Sequence, residues 1–261
     1  MARLLQRIIE EPHPCAYLPL DGASLDVRVM VDVTPAEVDG MLERGWRRFG
    51  PCYFRPVCAN CAECVTLRVR AAEFTPSRSQ RRARNRAARL RRVVSAPQVD
   101  AERLALYAKW HMERERARGW EPSALPASRY ALDFAFPHPC AREAAFYDDE
   151  DGGRLVGLGL FDETPTALSA VYFFYDPALH RDSLGIANVL ALIEDARAAG
   201  KAHVYLGYRV EGCASLAYKG GFDPHELLVG RPSDRDTPRW TRVEAPTGPG
   251  HPQAVPRHTS R

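Results

Sequence analysis

The alternation of apolar and polar positions divides the chain into short strands with helices between them. Residues 64–70 (CVTLRVR) alternate with period two, as a half-buried strand does. Residues 52–57 predict another short strand, and residues 1–33 an irregular lead-in with brief extended pieces. Thr34-Pro35-Ala36-Glu37 supplies an N-cap, a proline at the first helical position and a capping-box glutamate, so a helix starts here and stops near Gly45. From Pro76 and Ser77 to Arg92 the chain is rich in helix formers, with no Gly or further Pro, and predicts one Arg-rich helix. A second long helix runs from about Asp100 to Arg118 and ends at Gly119, and a short one covers 128–136. After Pro139 the period shortens. Residues 144–149, 154–161 and 167–175 read as three successive strands separated by turn residues. A helix from Asn188 to Ala199, a strand at 203–209, a short helix at 213–219 and a strand at 222–228 follow. The last 31 residues hold six prolines and little apolar content, which predicts a disordered tail over 231–261.

These elements predict an α+β protein. Residues 1–98 form an N-terminal cysteine-containing α/β domain with the Arg-rich helix, and residues 99–230 a second domain on a mixed, mostly antiparallel sheet.

Composition narrows the setting. A chain of 261 residues that is 45% hydrophobic and 26% charged has enough apolar content for one or two globular cores. It has no 18-residue apolar run, so no membrane span is expected. The apolar start is broken by Gln6 and Arg7 and lacks a secretory core, so a cytoplasmic location is expected. Seven cysteines in such a compartment point to packing, catalysis or metal binding rather than a disulfide framework.

Net charge is only +3, yet residues 78–92 carry eight arginines and no acid, leaving −5 for the rest. Arg78, Arg81, Arg82, Arg89 and Arg92 recur at helical spacing and share roughly one face. Guanidinium groups pair bidentately with phosphate, so this face predicts a nucleic-acid backbone partner read by shape rather than by base sequence. Cys58, Cys61 and Cys64, spaced by three, can converge on one ion. With Cys15 as a fourth ligand they make a candidate zinc or iron–sulfur site, against the simpler reading of reduced thiols at a strand start. Tyr205, Tyr208, Arg209, Tyr218 and Lys219 crowd one strand-to-helix passage, a combination suited to an anionic ligand or an oxyanion.

Antiparallel strands followed by helix–strand–helix–strand resemble an acyltransferase domain of the GNAT type. A more specific resemblance lies in motifs that occur in a fixed order. They are Cys15-Ala-Tyr17-Leu18, Arg44-Gly-Trp46-Arg47-Arg48, and Tyr53-Phe-Arg55-Pro56 running on to Cys58, Cys61 and Cys64. Phe74-x-Pro76-Ser77-Arg78-Ser79-Gln80-Arg81-Arg82-x2-Asn85 comes next, then Leu168 to Pro177, Ser183-Leu184-Gly185 and the Tyr205–Lys219 cluster. Over residues 13–230 the chain resembles the bacterial aspartate/glutamate leucyltransferases, relatives of the eukaryotic arginyl-tRNA–protein transferases.

The resemblance implies transfer of leucine from leucyl-tRNA to the N-terminal Asp or Glu of acceptor proteins, marking them for N-degron proteolysis. It implies tRNA and acceptor protein as partners, with neither DNA nor membrane, and no cofactor needed for the chemistry. In that reading Arg78, Arg81, Arg82, Asn85 and Arg89 contact tRNA. Tyr205, Tyr208 or Tyr218 donates to the oxyanion, Asp176 takes a proton, and Arg209 or Lys219 grips the acidic acceptor side chain. The chain departs from the arginyl relatives at Leu18, where they carry a second cysteine, and Cys52 and Cys140 match no motif of the family. Three alternatives stay open: an arginyl donor, an acetyl-CoA-dependent acetyltransferase and a non-catalytic RNA-binding protein with structural zinc. The pyrophosphate-loop pattern of the acetyltransferase is spoiled by one extra residue between Arg181 and Gly185.

Overall fold

Two sheets, antiparallel except at one strand pair, carry the fold in a computed structural model that describes residues 2–20, 22–118 and 126–244. The smaller is built from β1 (Arg3–Ile9), β2 (Leu25–Val31), β3 (Arg47–Phe49) and β4 (Cys52–Pro56), in the order β1-β2-β4-β3. The larger comprises β5 (Val65–Arg70), β6 (Arg91–Ser95), β7 (Ala141–Asp148), β8 (Arg154–Glu163), β9 (Ala167–Tyr175), β10 (His203–Arg209), β11 (His225–Leu228) and β12 (Trp240–Val243). Its order is β12-β11-β5-β10-β9-β8-β7-β6. The helices are α1 (Pro35–Glu43), α2 (Arg78–Ala87), α3 (Ala101–Arg118), α4 (Ala127–Phe134), α5 (Leu184–Ala198) and α6 (Ala214–Ala217).

Local signals are obeyed closely. Thr34 caps α1 and forms the reciprocal capping box with Glu37, and Gly45 follows the helix at φ +82°. Ser77 caps α2 in the same way with Gln80. The larger sheet separates two cores. Val204 and Leu206 of β10 pack with Leu184, Ile193 and Ala87, so α2 and α5 cover one face. Tyr205 points to the other face, among Trp46, Tyr53 and Val38, where the small sheet docks. Leu106, Tyr130, Leu158 and Phe174 form a third cluster under α3 and α4. No helix among the described residues is long and apolar enough to cross a membrane.

Four expectations are corrected. The lead-in is not irregular: β1 and β2 are seven residues each and pair with one another. The Arg-rich helix ends at Ala87, and Arg91–Ser95 instead pairs with β7, because Val93 and Val94 suit an edge strand better than a helix. The boundary at residue 98 does not separate two independent units: β5 lies between β10 and β11, so both sides of the boundary share one sheet. The predicted tail begins too early, since Trp240–Val243 pairs with β11 and Trp240 packs on Tyr205; residues 245–261 lie outside the described residues.

Candidate functional site

The one parallel pair creates the site. β9 and β10 pair only from Ala167–Ser169 to His203–Tyr205, joined by the crossover that contains α5. Beyond Ser169 and Tyr205 the strands part, and β10 continues along β5 alone after a register shift at Tyr205/Gly207. Diverging strands leave ladder groups without partners, which must be satisfied in another way. Arg47 of β3 fills the wedge. Its Nη1 donates to Ser169 Oγ at 2.9 Å and its Nη2 to the Ala170 carbonyl. Gly207, at φ +77°, lets the guanidinium lie close, for a Cβ there would come within 3.4 Å of it.

The parted strand ends, the start of α5 and the C-terminal half of α3 enclose a cleft of about 720 Å³. One wall is aromatic. The Trp110 and Tyr175 rings lie 4.4 Å apart, and Tyr172 Oη meets His111 Nε2 at 3.0 Å. Ile186, Val189 and Leu206 extend the apolar lining. Four cationic side chains also line it, Arg47, Arg48, Arg114 and Lys219, but no carboxylate does among the described residues. Arg48 is neutralised by Asp162 in a buried ion pair. Lys219 is bound through Nζ to the Tyr208 carbonyl at 2.9 Å. Burial, and then the neighbouring Arg47, bring its ammonium down to about 7, so it carries only part of its charge at neutral pH.

The structure sorts the expected site residues. Lys219, Tyr208 and Tyr218 line the cleft. Tyr208 is a poor oxyanion donor, because its buried hydroxyl donates to the carbonyls of Gly45 (2.9 Å) and Phe54 (3.3 Å). The Tyr218 side chain is exposed at the cleft. Tyr205 is a core residue at the last position where β10 still pairs with β9, packed among Trp46, Tyr53 and Val38, with its hydroxyl held by Arg68 at 3.2 Å. Arg209 lies outside the cleft lining and pairs with Glu211 at 3.1 Å.

Asp176 is fully buried and accepts from Lys109 Nζ (2.8 Å), Arg154 Nη1 (2.6 Å) and the Ala178 amide (3.0 Å). These bonds outweigh its desolvation and hold its carboxyl down to about 2, so it takes no proton near neutrality. Its role is to cap the turn at Pro177–Asp182 that leads into α5.

Tertiary contacts also redistribute the basic segment. Arg84 pairs with Glu194, Arg89 with Asp148 and Asp182, Arg91 with Asp149 and Arg92 with Asp195. Arg78, Arg81, Arg82 and Arg86 have no acidic partner among the described residues, and Arg86 reaches Ser183 Oγ at the start of α5 (3.2 Å). Asn85 is exposed beside them.

The cysteines lie near one another: burial first, and then Cys58, Cys15 and Cys61, push the Cys64 thiol up to about 12. The backbone carbonyls of Cys58 and Cys61 accept from Arg231. Among the described residues no three metal-binding side chains stand together as an ion's ligands.

Sequence reasoning missed Arg47, Trp110 and His111 as cleft residues. Arg47 stands in the Arg44–Arg48 motif as one of two arginines that follow Trp46. Trp110 and His111 sit on an ordinary amphipathic helix and carry no local signal.

Residues 13–82 match the model of the arginine-tRNA-protein transferase N terminus, and residues 102–229 that of its C terminus. The chain is 31% identical over 238 residues to the aspartate/glutamate leucyltransferase of Helicobacter hepaticus, covering 90% of this chain and 98% of that protein. Identity to the aspartate/glutamate leucyltransferase of Campylobacter jejuni is 33% over 83% of this chain and 90% of the other. For that of Pseudomonas fluorescens it is 35%, over 84% and 92%. Among solved structures, the C-terminal domain of a putative lysylphosphatidylglycerol synthetase from Agrobacterium fabrum has a TM-score of 0.44 at 14% identity, over 70% of this chain and 61% of that one.

Proposed function

Because the chain belongs to the arginine-tRNA-protein transferase family, among the aspartate/glutamate leucyltransferases, we propose that its cleft moves leucine from leucyl-tRNA to the free amine of a protein beginning with Asp or Glu. The product carries an N-terminal leucine that marks it for N-degron proteolysis. The setting is the cytoplasm, where charged tRNA is found.

The observation that carries this reading is the lining of the cleft: aromatic and aliphatic walls, cationic groups and no carboxylate among the described residues. A leucyl side chain is at home against such walls. An arginyl side chain would bring a guanidinium into a half-buried cationic site with no acid to pair it, at considerable cost. The larger sheet supports a GNAT-type reading of this region through its single splayed parallel pair and the crossover helix between the two strands.

The donor ester is already activated. The acceptor amine has an ordinary pKa of about 7.7–8.0, so a fraction is free at neutral pH. Alignment of amine and ester is the main task and can be worth about 7–11 kcal/mol at best. The amine nitrogen attacks the ester carbonyl carbon, the carbonyl oxygen becomes an oxyanion, and the ribose oxygen of tRNA leaves. Lys219 can accept the amine proton in its neutral form and return it to the departing oxygen. Tyr218, exposed at the cleft, can donate to the oxyanion. The exposed arginines of α2 contact tRNA phosphates, with Arg86 linking that helix to the mouth of the cleft. A zinc or iron–sulfur site at Cys15, Cys58, Cys61 and Cys64 is a separate proposal, tested by elemental analysis of anaerobically purified protein, and ester aminolysis does not call for it.

The decisive experiment is transfer of labelled amino acid from leucyl-tRNA and from arginyl-tRNA onto peptides starting with Asp, Glu, Arg or Lys. Leucine should appear on the Asp and Glu peptides only. Arginine transfer of equal efficiency would overturn the donor assignment.

A further inference from the structure

Arg47 is 7% exposed and lines the cleft, yet no acid forms an ion pair with it among the described residues. A guanidinium taken out of water without a counter-charge is costly, and most buried charges are paired. Here a hydroxyl and a carbonyl hold the group in place without neutralising it, so the free protein keeps a permanent, oriented positive charge at the base of the wedge. Two of its five N–H groups are taken by Ser169 and Ala170, and the others have no acceptor among the described residues.

The other cations near the cleft are poorer candidates for holding an anion. Arg48 is already satisfied by Asp162. Arg114 lies over the Trp110 ring, 5.3 Å from its centroid, on the opposite wall. Arg209 is turned to Glu211. Lys219 spends a donor on the Tyr208 carbonyl.

We propose that Arg47 is the contact for the side-chain carboxylate of the acceptor's first residue, and so the group that restricts acceptors to Asp and Glu. This rests on the leucyl-transfer reading for the identity of the anion. A carboxylate accepts from a guanidinium fork at two oxygens, and the low polarity of the wedge strengthens the pair. Asn and Gln acceptors offer the fork one accepting oxygen, turn an NH2 donor towards its other arm and carry no charge, so they lose the two-oxygen match and the charge. Lys and Arg acceptors meet like charge. Asp and Glu differ by one methylene, which a cleft of about 720 Å³ absorbs.

The test compares wild type, Arg47→Met and Arg47→Lys on peptides that begin with Asp, Glu, Asn or Gln and are otherwise identical. Peptide binding is measured by calorimetry, and leucine transfer separately. For folded Arg47→Met, kcat/KM with the Asp peptide should fall about 10- to 100-fold, as for loss of a charge-assisted pair. The Asp-over-Asn preference should fall towards one in both binding and transfer, and KM for leucyl-tRNA should stay as it was. A folded Arg47→Met protein that keeps the wild-type preference overturns the assignment, as does one whose only defect is a raised KM for leucyl-tRNA. If Arg47→Met does not fold, Arg47→Lys decides: charge without the fork should raise KM for the Asp peptide several-fold, and an unchanged acceptor KM overturns the proposal. If the wild type binds the Asp peptide through Arg47 but transfers no leucine, the leucyl-transfer reading fails and the Arg47 contact stands.

Discussion

The exposed face of α2 can be tested by its salt dependence. Of the eight arginines between residues 78 and 92, Arg78, Arg81 and Arg82 lie in the first turns of α2, exposed and without acidic partners among the described residues. Replace these three with Gln. Each phosphate contact in a duplex contributes about 0.9 to the slope of log affinity against log salt, so three contacts account for about 2.7. Over a fourfold change, from about 50 to 200 mM salt, those contacts alone are worth about 40-fold in affinity. The variant should therefore lose much more tRNA affinity at low salt than at high salt, and its plot should be flatter by about 2–3 units. Fluorescence anisotropy with labelled tRNA over a salt series measures this directly. A matched variant with Arg84, Arg89 and Arg92 changed to Gln serves as control, because their acids already hold those guanidinium groups. It should keep nearly the wild-type slope. If the folded Arg78, Arg81 and Arg82 variant keeps its slope while the control loses it, tRNA is bound through the wrong end of the segment and the reasoning fails.

Three further outcomes are expected. Asp176→Asn should lower stability by about 2–3 kcal/mol, less than a fully enclosed pair would lose because Lys109 and Arg154 are half exposed, with activity per folded molecule retained; a large loss of kcat with an unchanged Tm would restore Asp176 as a catalytic group. The folded state releases the Lys219 proton near 7 whereas the unfolded chain holds it to about 10.5, so this group makes stability rise with pH across that window, and Lys219→Met should lose that part of the slope in thermal melts at several pH values. Gly207→Ala should cost about 1–2 kcal/mol, since it puts a side chain at φ +77° and against the Arg47 guanidinium; a denaturation midpoint equal to wild type would show that the wedge yields freely.

What the sequence determined by itself was local. The Thr34 and Ser77 caps, the stop at Gly45, and the strands at 65–70, 154–161, 167–175 and 203–209 are written in residues within about four positions of each other or in a two-residue period. The ordered motifs that mark the family were legible for the same reason. The site was only half legible. Lys219, Tyr208 and Tyr218 were found because they crowd one passage, but so did Tyr205 and Arg209, and only the folded strand, with its register shift at Tyr205/Gly207 and its parting from β9, separates core from cleft. Arg47 meets Ser169 across 122 positions, Arg48 meets Asp162 across 114, and Lys109 meets Asp176 across 67. Folding brought those pairs together and decided which charges are cancelled and which stay available. An arginine run with no acid in sequence became a helix with four cations that meet no acid among the described residues, and a set of ion pairs. A carboxylate that sequence offered as a base became a neutralised cap, because an ion's behaviour depends on the charges and solvent around it in space, which sequence spacing does not carry.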